Sequence, residues 1–259
     1  MKKICFAISF HENKEVIKDL LDNIRFFCPN SSIVLFRSGE DPNLFDGLSY
    51  PICPTSKSLT YGSGLIWFHL NVMEWLEKIN LEYDYLINLD SDNLFAKKGF
   101  EEFVSSEMNG YDYMATHKRI PEPEWYPGLF MKRVWSTWQP IFNTADFVGC
   151  FNPGQIFSRN FVKKILNYSK LGQIKKAIEE TETFAVEEII FPTLAETLGV
   201  KAKAYPDKVQ DWIRYRPHFS ANEIQHGIDS DMDCYLIHPI HRDMNDDART
   251  YIRNLTKKS

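Results

Sequence analysis

The run Tyr83-Asp84-Tyr85-Leu86-Ile87-Asn88-Leu89-Asp90-Ser91-Asp92-Asn93 constrains this chain more than any other stretch. Its apolar, aromatic-rich body reads as a buried strand, and it stops at two carboxylates one residue apart. Unpaired acids are costly inside a strand. Asp90 and Asp92 are therefore expected at the strand's carboxyl end, where open α/β sheets bind their ligands. Two hard oxygen donors there, with Ser91 between them, suit a divalent cation such as Mg²⁺ or Mn²⁺ that itself holds a diphosphate. The same residues also fit a polar turn in which Asp90 or Asn93 closes an Asx-turn.

The surrounding pattern alternates. Ile4–Phe10 reads as a first strand, and Glu15–Phe27 as a helix with Val16, Leu20, Leu21 and Ile24 on one face. Pro29-Asn30-Ser31 ends that helix before a second strand at Ser32–Phe36. After a loop over Arg37–Ser58, Gly62–Ile79 reads as an amphipathic helix leading to the strand at Asp90. This βαβαβ order predicts an α/β fold with a mostly parallel central sheet flanked by helices.

Beyond Phe100–Val104 the rhythm breaks. Lys118–Asn143 holds four prolines and three tryptophans, and is expected to be a structured loop. Gly149–Leu166 carries another strand and helix start. Val186–Leu198 reads as a helix that Pro192 kinks or opens. Cys234–Ile240 reads as a late strand and Arg249–Lys258 as a terminal helix. With no repeat or linker, residues 1–259 are expected to form one domain. About the first hundred residues would hold a nucleotide, and 101–259 the acceptor.

Several classes are argued against. A net charge of −5 and a pI near 5.8 speak against a nucleic-acid surface. The apolar start Met1–Phe10 is cut off by His11-Glu12-Asn13-Lys14, too early for a signal peptide. No apolar run is long enough to span a bilayer, which leaves room only for peripheral membrane contact. The five cysteines are scattered and lack CxxC spacing, as expected of reduced core thiols in a cytoplasmic protein.

Two further motifs carry chemistry. In Ala185-Val186-Glu187-Glu188-Ile189-Ile190-Phe191-Pro192 the acids open a helix. They can simply complement its dipole, or one can act as a general base, since a helix N-terminus favours the carboxylate form. In Tyr235-Leu236-Ile237-His238-Pro239-Ile240-His241-Arg242, His238 is a candidate metal ligand and Arg242 a candidate partner for a leaving diphosphate; a structural histidine fits as well. Ser9, Phe10, His11, Arg37 and Ser38, at the ends of the first two strands, are candidates for holding base and ribose. Trp125, Trp135, Trp138 and Arg133 are candidates for an acceptor wall, or for packing.

Taken in order, YDYLINLDSD (83–92), Tyr61-Gly62-Ser63-Gly64, GQIFSRNFV (154–162) and EEIIFPTL (187–194) resemble the landmarks of the core-2/I-branching N-acetylglucosaminyltransferases and related xylosyltransferases. The resemblance covers about residues 1–200 through short motifs. It implies a GT-A fold, with a Rossmann-like nucleotide-binding half, and inverting transfer from a UDP-sugar such as UDP-GlcNAc. It also implies Glu188 as the base and Asp92 as the conserved acid of the triplet. That family can work without metal; Asp90 here departs from its pattern by completing an Asp-x-Asp. The expectation is a glycosyltransferase acting between a nucleotide-sugar donor and a carbohydrate or other hydroxyl acceptor. Alternatives are a retaining metal-dependent transferase of the same fold, a metal-dependent phosphohydrolase and a non-catalytic sugar-binding protein.

Overall fold

The computed structural model describes residues 2–11, 14–59, 64–117 and 124–257. The Tyr61–Ser63 landmark, residues 118–123 of the proline-rich stretch and Lys258 lie outside them.

Strand β1 (Ile4–Phe10) is buried along its whole length. Its side chains alternate between two cores: Ile4, Phe6, Ile8 and Phe10 enter one, and Cys5 and Ala7 the other. A strand covered on both faces is the centre of a layered α/β sheet. β1 pairs in parallel with β2 (Ser32–Arg37) and with β3 (Tyr85–Asp90). Helix α1 (Lys14–Phe27) covers the first core and α2 (Leu65–Lys78) the second.

Next to β3 the sheet reverses. β6 (Ile156–Ser158) runs antiparallel to both β3 and β5 (Tyr113–Ala115), and β7 (Ala202–Ala204) then pairs in parallel with β5. The order is β2-β1-β3-β6-β5-β7, with three of five pairings parallel. A second, two-stranded sheet joins β4 (Leu94–Phe95) to β8 (Leu236–Ile237). It brings the late His238–Arg242 segment beside the residues that follow β3.

The proline-rich stretch corrects its sequence reading. Tyr126–Phe142 is a helix, α4. Pro127 sits in its first turn, where a missing N–H costs nothing, and Pro140 in its last. Met131, Trp135, Trp138 and Phe142 recur at helical spacing and are buried. A count of prolines hid that stripe.

The remaining helices are α3 (Phe100–Glu107), α5 (Arg159–Leu166), α6 (Leu171–Glu180), α7 (Glu187–Thr197), α8 (Asp207–Gln210), α9 (Ala221–Asp229) and α10 (Asp247–Leu255). The sequence reading overlooked α9, whose Ser220/Glu223 capping box was a legible start signal. All five cysteines are free and buried. Among the described residues, no helix is long and apolar enough to cross a membrane.

Candidate active site

The carboxyl ends of β1, β2 and β3 form one rim, and a cleft of about 700 Å³ opens there. Ser9 and His11 line it from β1, Ser38 from the end of β2, and Asp90 from β3. The register makes this inevitable, because Ser9 stands opposite Asp90 on one side and Phe36 on the other. Ser9 Oγ donates to Ser38 Oγ across 2.8 Å, closing the floor. Ala185 and Glu187 line the cleft from the start of α7, and Arg242 from the late loop.

Two expected nucleotide contacts fall elsewhere. The Phe10 side chain is wholly buried against Phe45, and its carbonyl accepts from the Ser38 and Gly39 amides. A strand that alternates between two cores has no side chain to spare at that position. Arg37 is half-buried, with its amide donating to Ser56 Oγ at 3.1 Å.

Beyond β3 the acid triplet turns back on itself. The Asp90 amide donates to Asn93 Oδ1 at 2.9 Å, so a side chain three residues on closes the turn rather than an Asx-turn, which bonds two residues ahead. Asp92 is buried, and Arg242 approaches its Oδ2 through Nη2 at 3.0 Å. Arg242 Nε donates to Ser91 Oγ at 2.8 Å, so one guanidinium joins Ser91 and Asp92. His238 Nε2 lies 3.5 Å from Asp92 Oδ1. Burial alone would raise the Asp92 carboxyl; the contact and charge of His238, then the charge of Arg242, outweigh it and hold it at about 2.

The tautomer of His238 follows from its other nitrogen. Nδ1 lies 2.9 Å from the Arg214 carbonyl, which can only accept, so Nδ1 carries a hydrogen. In the neutral ring Nε2 then presents a lone pair to Asp92 Oδ1, a buried oxygen without a hydrogen-bond partner. Two facing lone pairs call for a proton or a cation between them. The donor types fit Mn²⁺ or Mg²⁺ with Asp92 and His238 as ligands and Asp90 at the edge. Among the described residues, no three His, Cys, Asp or Glu side chains converge closely enough to hold an ion by themselves.

The two acids of α7 part company. Glu187 is 2 % exposed and its Oε2 has no hydrogen-bond partner. Burial, then the charges of Glu188 and Asp90, push its carboxyl well above the ordinary range. Glu188 instead accepts from Trp125 Nε1 at 3.0 Å and from the Asn152 amide at 3.3 Å. Pro192 helps to build this arrangement. It offers no N–H to the Glu188 carbonyl, which accepts from the Cys150 amide at 2.9 Å and so anchors the 150–152 segment.

Of the two readings of the tryptophans, acceptor wall or packing, the structure shows packing. Trp125, Trp135 and Trp138 are all buried; Trp135 stacks on Phe142, and Trp125 packs near Phe147. Only Arg133 of that set is exposed, lying over the Phe130 ring. Sequence reasoning missed Trp125 as a partner of Glu188, because that pairing spans two distant elements.

This architecture, a mostly parallel sheet flanked by helices with its ligand rim at the ends of the first three strands, is the GT-A glycosyltransferase fold. An active-site variant of LgtC superposes with a TM-score of 0.55 at 11% identity, covering 99% of this chain and 95% of that one. The galactosyltransferase LgtC with donor and acceptor sugar analogues gives 0.53 at 12% identity and the same coverage. The bifunctional glycosyltransferase WbbM gives 0.51 at 12% identity, with all of this chain matching 50% of that one. No protein-family model and no curated protein matches the sequence.

Proposed function

We propose that this chain, as one domain, transfers a sugar from a nucleotide-diphosphate donor, UDP-linked as read from the sequence, to a hydroxyl acceptor. One observation carries the reading. A cleft of nucleotide-sugar size is lined by Asp90, Arg242 and Glu187 together with Ser9, His11 and Ser38, and Arg242 links it to the buried Asp92. Ser9, His11 and Ser38 would hold the nucleoside; Arg242 would take charge developing on the leaving diphosphate. A cation on Asp92 and His238 would supply Lewis-acid stabilisation of that same diphosphate. Glu187 lines the cleft with its Oε2 without a hydrogen-bond partner, and so offers a buried hydrogen-bonding group to a sugar hydroxyl.

The stereochemical course turns on α7. Inversion, as the sequence resemblance implies, asks Glu188 to take the acceptor's proton. Its carboxylate is engaged by Trp125 and Asn152, which favours the retaining course instead. There the acceptor attacks on the face that the diphosphate leaves, and a departing phosphate oxygen takes the proton. Incubation with UDP-sugars and Mn²⁺ tests the whole reading. Release of UDP is expected, and no turnover or binding of any nucleotide sugar would overturn it. The anomeric configuration of the product, read by NMR, separates the two courses.

A further inference from the structure

Arg249 is 0 % exposed, although it sits on helix α10 and is not among the residues that line the cleft. Its guanidinium has three directed bonds. Nη2 donates to the Ser91 carbonyl, Nε to the His241 carbonyl and Nη1 to Asp19 Oδ2, each at 2.8 Å. Ser91 is the centre of the acid triplet and His241 immediately precedes Arg242. One planar group thus ties together the two loops that carry Asp92 and Arg242, and Asp19 on α1 balances its charge.

Stability alone does not explain that choice. A buried ion pair can commonly be replaced by well-packed apolar side chains without loss. A guanidinium, by contrast, offers donors in a fixed plane, so it sets distance and angle between the groups it joins; a lysine ammonium cannot. Arg242 already touches Asp92 at 3.0 Å, so what the tie fixes is where that pair sits relative to the cleft that Arg242 lines.

We infer that Arg249 is a positioning residue: through the Ser91 and His241 carbonyls it locks the Arg242 loop against the Ser91–Asp92 turn, so that Arg242 is presented to the cleft where a donor diphosphate would lie. The inference rests on the proposed nucleotide-sugar reading. Its signature is selective, because a diphosphate grip should feel the change and a nucleoside contact should not.

The test compares UDP and UMP binding, by calorimetry with Mn²⁺ present, for the wild type, Arg249→Lys and the paired variant Arg249→Met with Asp19→Leu. Arg249→Lys is expected to lose about tenfold in UDP affinity while UMP affinity changes by less than about threefold, in line with the strength of charge-assisted contacts. The paired variant removes both carbonyl bonds together with the buried charges, and provides the same comparison should the lysine variant not fold; at least as large a loss of UDP-over-UMP preference is expected. Unchanged preference in the folded variants, or an equal fall for both ligands, overturns the inference and leaves the transferase reading standing. A wild-type protein that binds neither ligand overturns both.

Discussion

Trp125 donates its indole N–H to Glu188 Oε2 across 3.0 Å, and two glycines make room for the ring. A Cβ at Gly149 would stand 2.0 Å from Trp125 Cη2, and one at Gly128 would stand 2.3 Å from Cε3. Both are impossible contacts, so the indole has one place to lie. Gly149→Ala should expel it and leave the Glu188 carboxylate short of a partner. Trp125→Phe removes the donor with less disturbance. Losing a hydrogen bond to a charged group costs about 1.5–3 kcal/mol. Urea unfolding should therefore show Trp125→Phe destabilised by at least that much, and Gly149→Ala by more. A neutral Gly149→Ala would mean that the ring has another seat.

Glu187 gives the protein a signed pH dependence. Its folded carboxyl is raised, by burial first and by Glu188 and Asp90 after it, above an unfolded value of about 4.3. The stability it contributes is complete below that unfolded value and is lost as pH rises through the folded one. Glu187→Gln cannot ionise. Thermal unfolding should show the variant gaining on the wild type between pH 5 and pH 8. Parallel curves would show that Glu187 is not the group that titrates.

Much of the fold was legible because its signals are local. β1, β2 and β3 declared themselves through apolar runs, and the rim position of Asp90 followed from the cost of burying it. The reversal at β6 was not legible: three residues, Ile156–Ser158, carry too little pattern to fix a direction. In the site, the acids of α7 looked equivalent in sequence. What separates Glu187 from Glu188 is Trp125 and the Asn152 amide, contacts made over 63 and 36 residues. Arg249 looked like part of a basic tail, since nothing nearby in the chain announces the carbonyls of Ser91 and His241.

The 3.5 Å approach of His238 Nε2 to Asp92 Oδ1, a gap that a proton or a cation closes, predicts a cation-dependent stability. A ligand that binds only the folded state raises stability by RT ln(1 + [L]/Kd), about 2.7 kcal/mol at a hundred times Kd. Mn²⁺ with UDP should raise the melting midpoint beyond UDP alone. His238→Ala and Asp92→Asn should each abolish that increment. If both variants keep it, the cation binds elsewhere, and Arg242 on Asp92 Oδ2 is the charge that meets the diphosphate.

Glu188→Gln decides what α7 does in the reaction. A glutamine has one oxygen for the two donors, so its NH₂ must face either the Trp125 indole N–H or the Asn152 N–H, and some stability is lost, on the order of 1 kcal/mol. If Glu188 is held as a structural acceptor, as its bonds suggest, the variant should keep transfer within about tenfold of the wild type at a temperature where both are folded. A general base contributes typically about 10²–10⁴-fold. A loss of that size with UDP affinity intact would return the proton-abstracting role to Glu188 and, with it, inversion at the anomeric carbon. Rate and anomeric configuration must therefore agree: slight loss with retention, or severe loss with inversion. A severe loss with retained configuration would place Glu188 in support of the acceptor or donor rather than in proton transfer.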